Sequence, residues 1–264
     1  MHRTALVRLA AFALVILGSF GTAYSLGRRL PGSAESKPHT HGPVKPSPVP
    51  PGFKVDGYVL VDESNQPSKS AIGLHVNGPD GQRVTDYVEA NGSKLHVVLI
   101  RFDLSGFEHV QPEINADGSF VVPIDKPGKW HIVIDAQPAG GAAPIVLATN
   151  IDDEVPIKEV AVPKPNDKVT VDDLIVTRQG LNFTVTAKDG SVAAGLGPYL
   201  GQPAHLIAIR KGDLAYNHLH PVTGAAATAI FAFDGTLPTG TYRLFLQFGY
   251  HSKVVTVAFT AVEP

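Results

Sequence analysis

The chain reads as all-β, with two tandem sandwich domains, and three observations predict it. Short stretches alternate apolar and polar side chains, as in Phe183-Thr184-Val185-Thr186-Ala187 and Val254-Val255-Thr256-Val257-Ala258-Phe259, the period of a strand with one buried face. Turn dipeptides Asp80-Gly81, Asp117-Gly118, Asp189-Gly190 and Asp234-Gly235 punctuate these stretches, and Gly accepts the positive φ that hairpins demand. Finally, KLHVVLIRFDLSGFEHVQP at 94–112 returns as PAHLIAIRKGDLAYNHLHP at 203–221, with His96 matching His205 and His109 matching His218 at the same offset of 109.

Residues 1–30 stand apart. Leu9 to Leu26 is an almost unbroken apolar run behind Arg3 and Arg8. Its length just matches a bilayer core, which needs about 20 helical residues. A retained transmembrane anchor is favoured over a cleaved signal peptide, because Thr22-Ala23-Tyr24-Ser25 offers a weak cleavage pattern. The chain would then sit in the cell membrane as a single-pass protein with extracytoplasmic domains, or be secreted if the segment is removed. Residues 31–52, PGSAESKPHTHGPVKPSPVPPG, are too rich in proline to fold and read as an extended stalk. His39 and His41 within it read as solvated.

The repeat covers most of the chain beyond the stalk. Leu74 to Gly81 matches Phe183 to Gly190, and Val55 to Val61 resembles Val171 to Val176. Further on, Pro127-Gly128-Lys129-Trp130 resembles Thr239-Gly240-Thr241-Tyr242. Each copy is about 100 residues with roughly seven strands, the size of an immunoglobulin-like sandwich. The expected domains are 53–162 and 163–264, with the boundary at Val160 to Asp167, where Pro163 and Pro165 interrupt strand pairing. A single large barrel is the alternative architecture.

Composition removes several functions. Cysteine is absent and the only methionine is Met1, so disulfides, thiolate sites and a blue-copper centre are excluded. Beyond residue 30 there are 18 basic against 24 acidic residues, the wrong balance for nucleic acid. There is no G-x-S-x-G elbow, phosphate loop or H-E-x-x-H helix.

The chemistry rests on histidine. In the strand from Leu95 to Arg101, His96, Val98 and Ile100 share one face, as His205, Ile207 and Ile209 do in the second copy. Both histidines are expected at the rim of a sandwich core, where the bland reading is a hydrogen bond to a neighbouring strand. His218-Leu219-His220 sets two imidazoles on one side of an extended segment, a spacing that lets both reach one cation. The first copy has His109-Val110-Gln111, with an amide in place of the second ring. His251, before the last strand, is expected to join His205, His218 and His220 at one end of the second domain. His131 and Asp135 occupy the comparable region of the first. Arg101 with Asp103, and Arg210 with Asp213, read as ion pairs that pin turns. Trp130 and Tyr242 read as core aromatics. The candidate metal ligands are thus His96, His109, His205, His218, His220 and His251, and imidazole alone suits Cu(II) or Zn(II).

With these motifs in view, the chain resembles a group of exported actinobacterial proteins with duplicated units. In these units a strand histidine is followed by D-L-x-x-F-x-H-V-H-P and then a G-x-Y/W strand. The motif stands here as Asp103 to Pro112 and as Gly212 to Pro221. The group is loosely similar to YtkA-like and copper-resistance immunoglobulin-like domains, and the resemblance implies heavy-metal handling outside the cytoplasm. Gln111 departs from the pattern. The expected function is a non-enzymatic metal buffer or delivery module, with a metal ion and the membrane as partners and no nucleic acid. A structural or protein-interaction module is the alternative, and an enzyme with a His-bound metal is the third.

Overall fold

The computed structural model describes residues 52–63, 70–152, 157–222 and 229–264. The anchor, the stalk and its two histidines lie outside these residues. Among the described residues no helix is long and apolar enough to cross a membrane.

The described residues of the first half form eight strands: β1 (Lys54–Val55), β2 (Tyr58–Asp62), β3 (Ala71–Asn77), β4 (Leu95–Arg101), β5 (Phe107–Val110), β6 (Phe120–Pro123), β7 (Lys129–Ala136) and β8 (Ile145–Asp152). The second half adds β9 (Lys168–Val171), β10 (Leu174–Gln179), β11 (Asn182–Ala187), β12 (Leu196–Gly197) and β13 (His205–Arg210). It ends with β14 (Tyr216–Leu219), β15 (Ile230–Ala232), β16 (Gly240–Tyr250) and β17 (Lys253–Glu263).

Strand order repeats with the sequence. One sheet runs β1-β2-β3-β6 and its counterpart β9-β10-β11-β15. The other runs β5-β4-β7-β8, matched by β14-β13-β16-β17, with β12 added beside the end of β16. Two antiparallel sheets packed face to face in each half make an immunoglobulin-like sandwich. The single barrel is thereby replaced by four sheets. Residues 157–167 between the halves form no strand. Val160 N–H donates to Asp103 Oδ2 at 2.9 Å, and the Asn166 side chain accepts from Thr260 N–H at 2.8 Å.

Each sandwich has its own core. Leu95, Val97 and Leu99 of β4 and Ile132 and Ile134 of β7 bury against Leu74, Val76 and Phe120. Leu206 and Ala208 of β13 and Leu244 and Leu246 of β16 bury against Phe183, Val185 and Phe231. Trp130 and Tyr242 are each 1% exposed, as core aromatics should be. A third core lies between the halves, where Val98, Ile100, Val133 and Ala148 meet Ile207, Ile209, Tyr216 and Phe245. Phe107 stacks on Phe245 with ring centroids 4.1 Å apart.

This third core corrects the expected placement of the strand histidines. His96, Val98 and Ile100 share a face, but that face meets the other sandwich and not the core of its own. β4 is buried along both faces, which is why its sequence is apolar almost throughout. The ion pairs behave as expected: Arg210 grips Asp213 through both Nε and an Nη, and Arg101 Nε lies 3.8 Å from Asp103.

Candidate metal centre

Register carries the histidines to one place. His96 on β4 is paired with Asp135 on β7, and Val98 beside it with His109 on β5. In the second half His205 on β13 is paired with Gln247 on β16, and Ile207 with His218 on β14. Stacking these two sheets brings four rings together, two from each sandwich. Their centroids are 5.4 Å apart for His96–His109 and 5.2 Å for His205–His218. Across the halves they are 5.9 Å for His96–His205, 5.0 Å for His96–His218, 5.8 Å for His109–His205 and 5.5 Å for His109–His218. His220 joins from the end of β14, 4.5 Å from His218 and 4.8 Å from His205.

Two turns fix the strand histidines. Asn91-Gly92 and Leu200-Gly201 each take positive φ at both positions, between 49° and 78°, the form that closes a two-residue hairpin turn. The residue before each turn offers its carbonyl to the strand. His96 Nε2–H donates to Ala90 O and His205 Nε2–H to Tyr199 O, both at 3.0 Å. The turns also touch one another: Gln202 Nε2 donates to Asn91 Oδ1 at 3.1 Å, and a Cβ on Gly92 would stand 2.5 Å from Leu200 O.

The other two rings are held from the opposite sandwich. His218 Nδ1 lies 3.1 Å from Asp135 Oδ2, and His109 Nδ1 lies 2.8 Å from Gln247 Oε1. Gln247 in turn donates from Nε2 to Thr256 Oγ1 at 3.1 Å. A carbonyl or carboxylate oxygen only accepts. If neutral, His205 and His218 therefore carry their protons on the outward nitrogens, and their inward nitrogens, His205 Nδ1 and His218 Nε2, stand 2.9 Å apart, within hydrogen-bond distance once one further proton is bound. His96 Nδ1 and His109 Nε2 repeat the arrangement at 3.2 Å.

Facing lone pairs repel unless a proton or a cation lies between them. On the His109 and His205 rings protonation is opposed by burial. Burial holds the His109 ring down at about 4. Burial, reinforced by His220, His109 and His96, holds His205 down at about 2. His205 is fully shielded from solvent and His96 is 4% exposed. A metal ion meets the same lone pairs favourably. Tetrahedral Zn–N bonds of about 2.0–2.1 Å put ligand nitrogens about 3.3–3.4 Å apart, so only a small opening of each pair is needed. Among the described residues two groups have ligand atoms within 4.8 Å of one another: His96, His109 and His218 across the sandwiches, and His205, His218 and His220 within the second.

Five of the six expected ligands thus converge. His251 does not. It sits at positive φ in the hairpin turn joining β16 to β17, its ring 4.2 Å from Tyr250 and its N–H bonded to Gly195 O. Four residues separate it from Gln247, about 13 Å along an extended strand. His131 shares a face with Asp135 but lies at the far end of β7, bonded to Asn150 Oδ1 at 2.7 Å, with burial lowering its basicity. His75, on another sheet, lies 2.8 Å from Glu63. Asp135 and Gln247 were missed as supports. Extending the match of Trp130 with Tyr242 five residues along the strand would have found them, since each is a polar residue opposite a strand histidine.

A domain of unknown function (DUF8832) matches residues 165–263. No curated protein matches the chain. Among solved structures, the chicken CNTN1 FN1-FN3 domains are 12% identical, with 81% of this chain and 68% of that chain covered and a TM-score of 0.24. A DUF3823 family protein from Bacteroides uniformis is 11% identical, with 71% and 96% covered and a TM-score of 0.20. The immunoglobulin-like assignment stands on strand order and sheet packing, without support from these likenesses.

Proposed function

We propose that the protein binds a divalent transition-metal ion, Cu(II) or Zn(II), between its two sandwiches and acts as a buffer or delivery module outside the cytoplasm. The observation that carries this reading is the pair His205–His218, whose inward nitrogens are both left as lone pairs 2.9 Å apart by outward acceptors. Metal-ligating histidines characteristically donate their other N–H to a carboxylate or backbone carbonyl, and here Asp135 and Tyr199 supply one of each. The donor set is nitrogen only, which suits borderline ions and not soft Cu(I). Asp135 sets a carboxylate beside the cluster.

Export and anchoring through residues 1–30 belong to the same proposal, resting on the apolar run and on the resemblance to exported metal-handling proteins. We read the protein as a binding protein and not an enzyme, because its ligands are enclosed between two sheets. The alternative is a structural module whose histidines fasten the sandwiches, and the bonds His109–Gln247 and His218–Asp135 favour it specifically. Calorimetric titration of the full-length protein with Cu(II) and with Zn(II), beside a His218→Ala/His220→Ala variant, separates the two. Saturable binding lost in the variant is expected. Equal uptake by both would leave only the fastening role.

A further inference from the structure

His218 belongs to both ligand groups. Its Nδ1–H is committed to Asp135, so Nε2 alone can bind metal. One nitrogen lone pair serves one ion at a time. The geometry points to two alternative seats for a single divalent ion, an outer one made by His205, His218 and His220 and an inner one made by His96, His109 and His218, with His220 as the ring that loads it. This inference rests on the metal-binding reading above.

Exposure sets the direction. His220 is only partly buried, whereas His96, His205 and His218 are buried and His109, of the inner group, is 9% exposed. An arriving ion therefore meets the His220 ring first, the most open of the five although its Nε2 is itself buried. It keeps its bond to His218 Nε2 while His205 and His220 are exchanged for His96 and His109, whose rings stand 5.0 Å and 5.5 Å from His218. No proton need move, since the strand histidines already hold theirs on the Ala90 and Tyr199 carbonyls. The first half carries Gln111 where the second has His220, so the loading ring exists on one side only. The inner seat is also the one that spans the sandwiches, so its occupancy ties the two halves together.

The test follows Zn(II) uptake and chelator-driven release in the full-length protein by stopped flow, with stoichiometry measured at saturation. The wild type is expected to hold one ion per chain. His220→Gln, which installs the first half's residue, is expected to hold one ion with roughly tenfold slower uptake and release. His96→Ala is expected to load at the wild-type rate and release faster, its ion confined to the outer seat. Two ions per wild-type chain, or wild-type rates in His220→Gln, overturn the two-seat arrangement while leaving metal binding intact. No saturable binding by the wild type overturns the metal-binding reading itself. Circular dichroism of each variant separates a kinetic change from unfolding.

Discussion

The two halves of the molecule share a strand order and a pair of facing histidines, yet they differ where the chemistry is decided. At the position two beyond the strand histidine's partner ring, the first half has Gln111 and the second His220. Behind the cluster, the first half offers Asp135 and the second Gln247. The apolar positions between them stayed alike in kind. Duplication thus supplies a symmetric frame, and a few polar exchanges make the centre lopsided: the extra ring and the charged support both act on His218.

That asymmetry can be broken residue by residue. The largest effect is expected from His218→Ala, which removes a ligand from both groups and should abolish saturable zinc binding in a calorimetric titration. Its repeat counterpart His109→Ala should leave the second-half group and measurable binding. Equal loss in both would mean the halves contribute alike.

A smaller change is expected at the supports. Asp135→Asn gives His218 a neighbour able to donate, which lets the proton move to Nε2 and closes the lone pair. Loss of such outer partners costs about 10–100-fold in metal affinity, and a competition titration should find a loss in that range. Gln247→Glu does the reverse for His109 and should tighten binding. Gln111→His sharpens the comparison further, by giving the first half a triad of its own that does not need His218. Zinc stoichiometry, read by mass spectrometry under native conditions, should rise from one to two.

The smallest expected effect is on stability of the metal-free protein. The folded state holds His109 and His205 below their ordinary 6.5, chiefly by burial, while the unfolded chain takes up protons at about 6.5. Their contribution is therefore fully present above about pH 6.5 and declines as pH falls toward 4, where His109 begins to protonate in the fold. Thermal melts at pH 7.5 and pH 5 should show a lower midpoint in acid, with the difference reduced in His205→Gln. An unchanged midpoint would place both rings in a wetter setting.

Much of the fold was legible because the repeat, the period-two patterns and the Asp-Gly turns all report local structure. The clustered residues His96, His109, His205 and His218 were legible for the same reason, since a repeated histidine stands out, and His220 was legible from its His-x-His spacing. What escaped was the partner of each sheet face. Leu95 to Ile100 is apolar on both sides, and alternation alone cannot say which side meets the home core and which meets the other sandwich. The cross-sandwich supports were hidden with it: Asp135 acts on a ring 83 residues away, and no local pattern encodes that distance. His251 failed for the opposite reason. Its nearness in sequence to the last strand suggested convergence, but the length of β16 carries it away.

The central claim, that His205 and His218 present facing lone pairs for a metal, is tested most directly by the ring-nitrogen chemical shifts of 15N-labelled histidines at neutral pH. Facing lone pairs require His205 protonated only at Nε2 and His218 only at Nδ1, with both inward nitrogens unprotonated and both shifting on addition of one equivalent of Zn(II). A His218 ring protonated at Nε2 that is indifferent to zinc would contradict it.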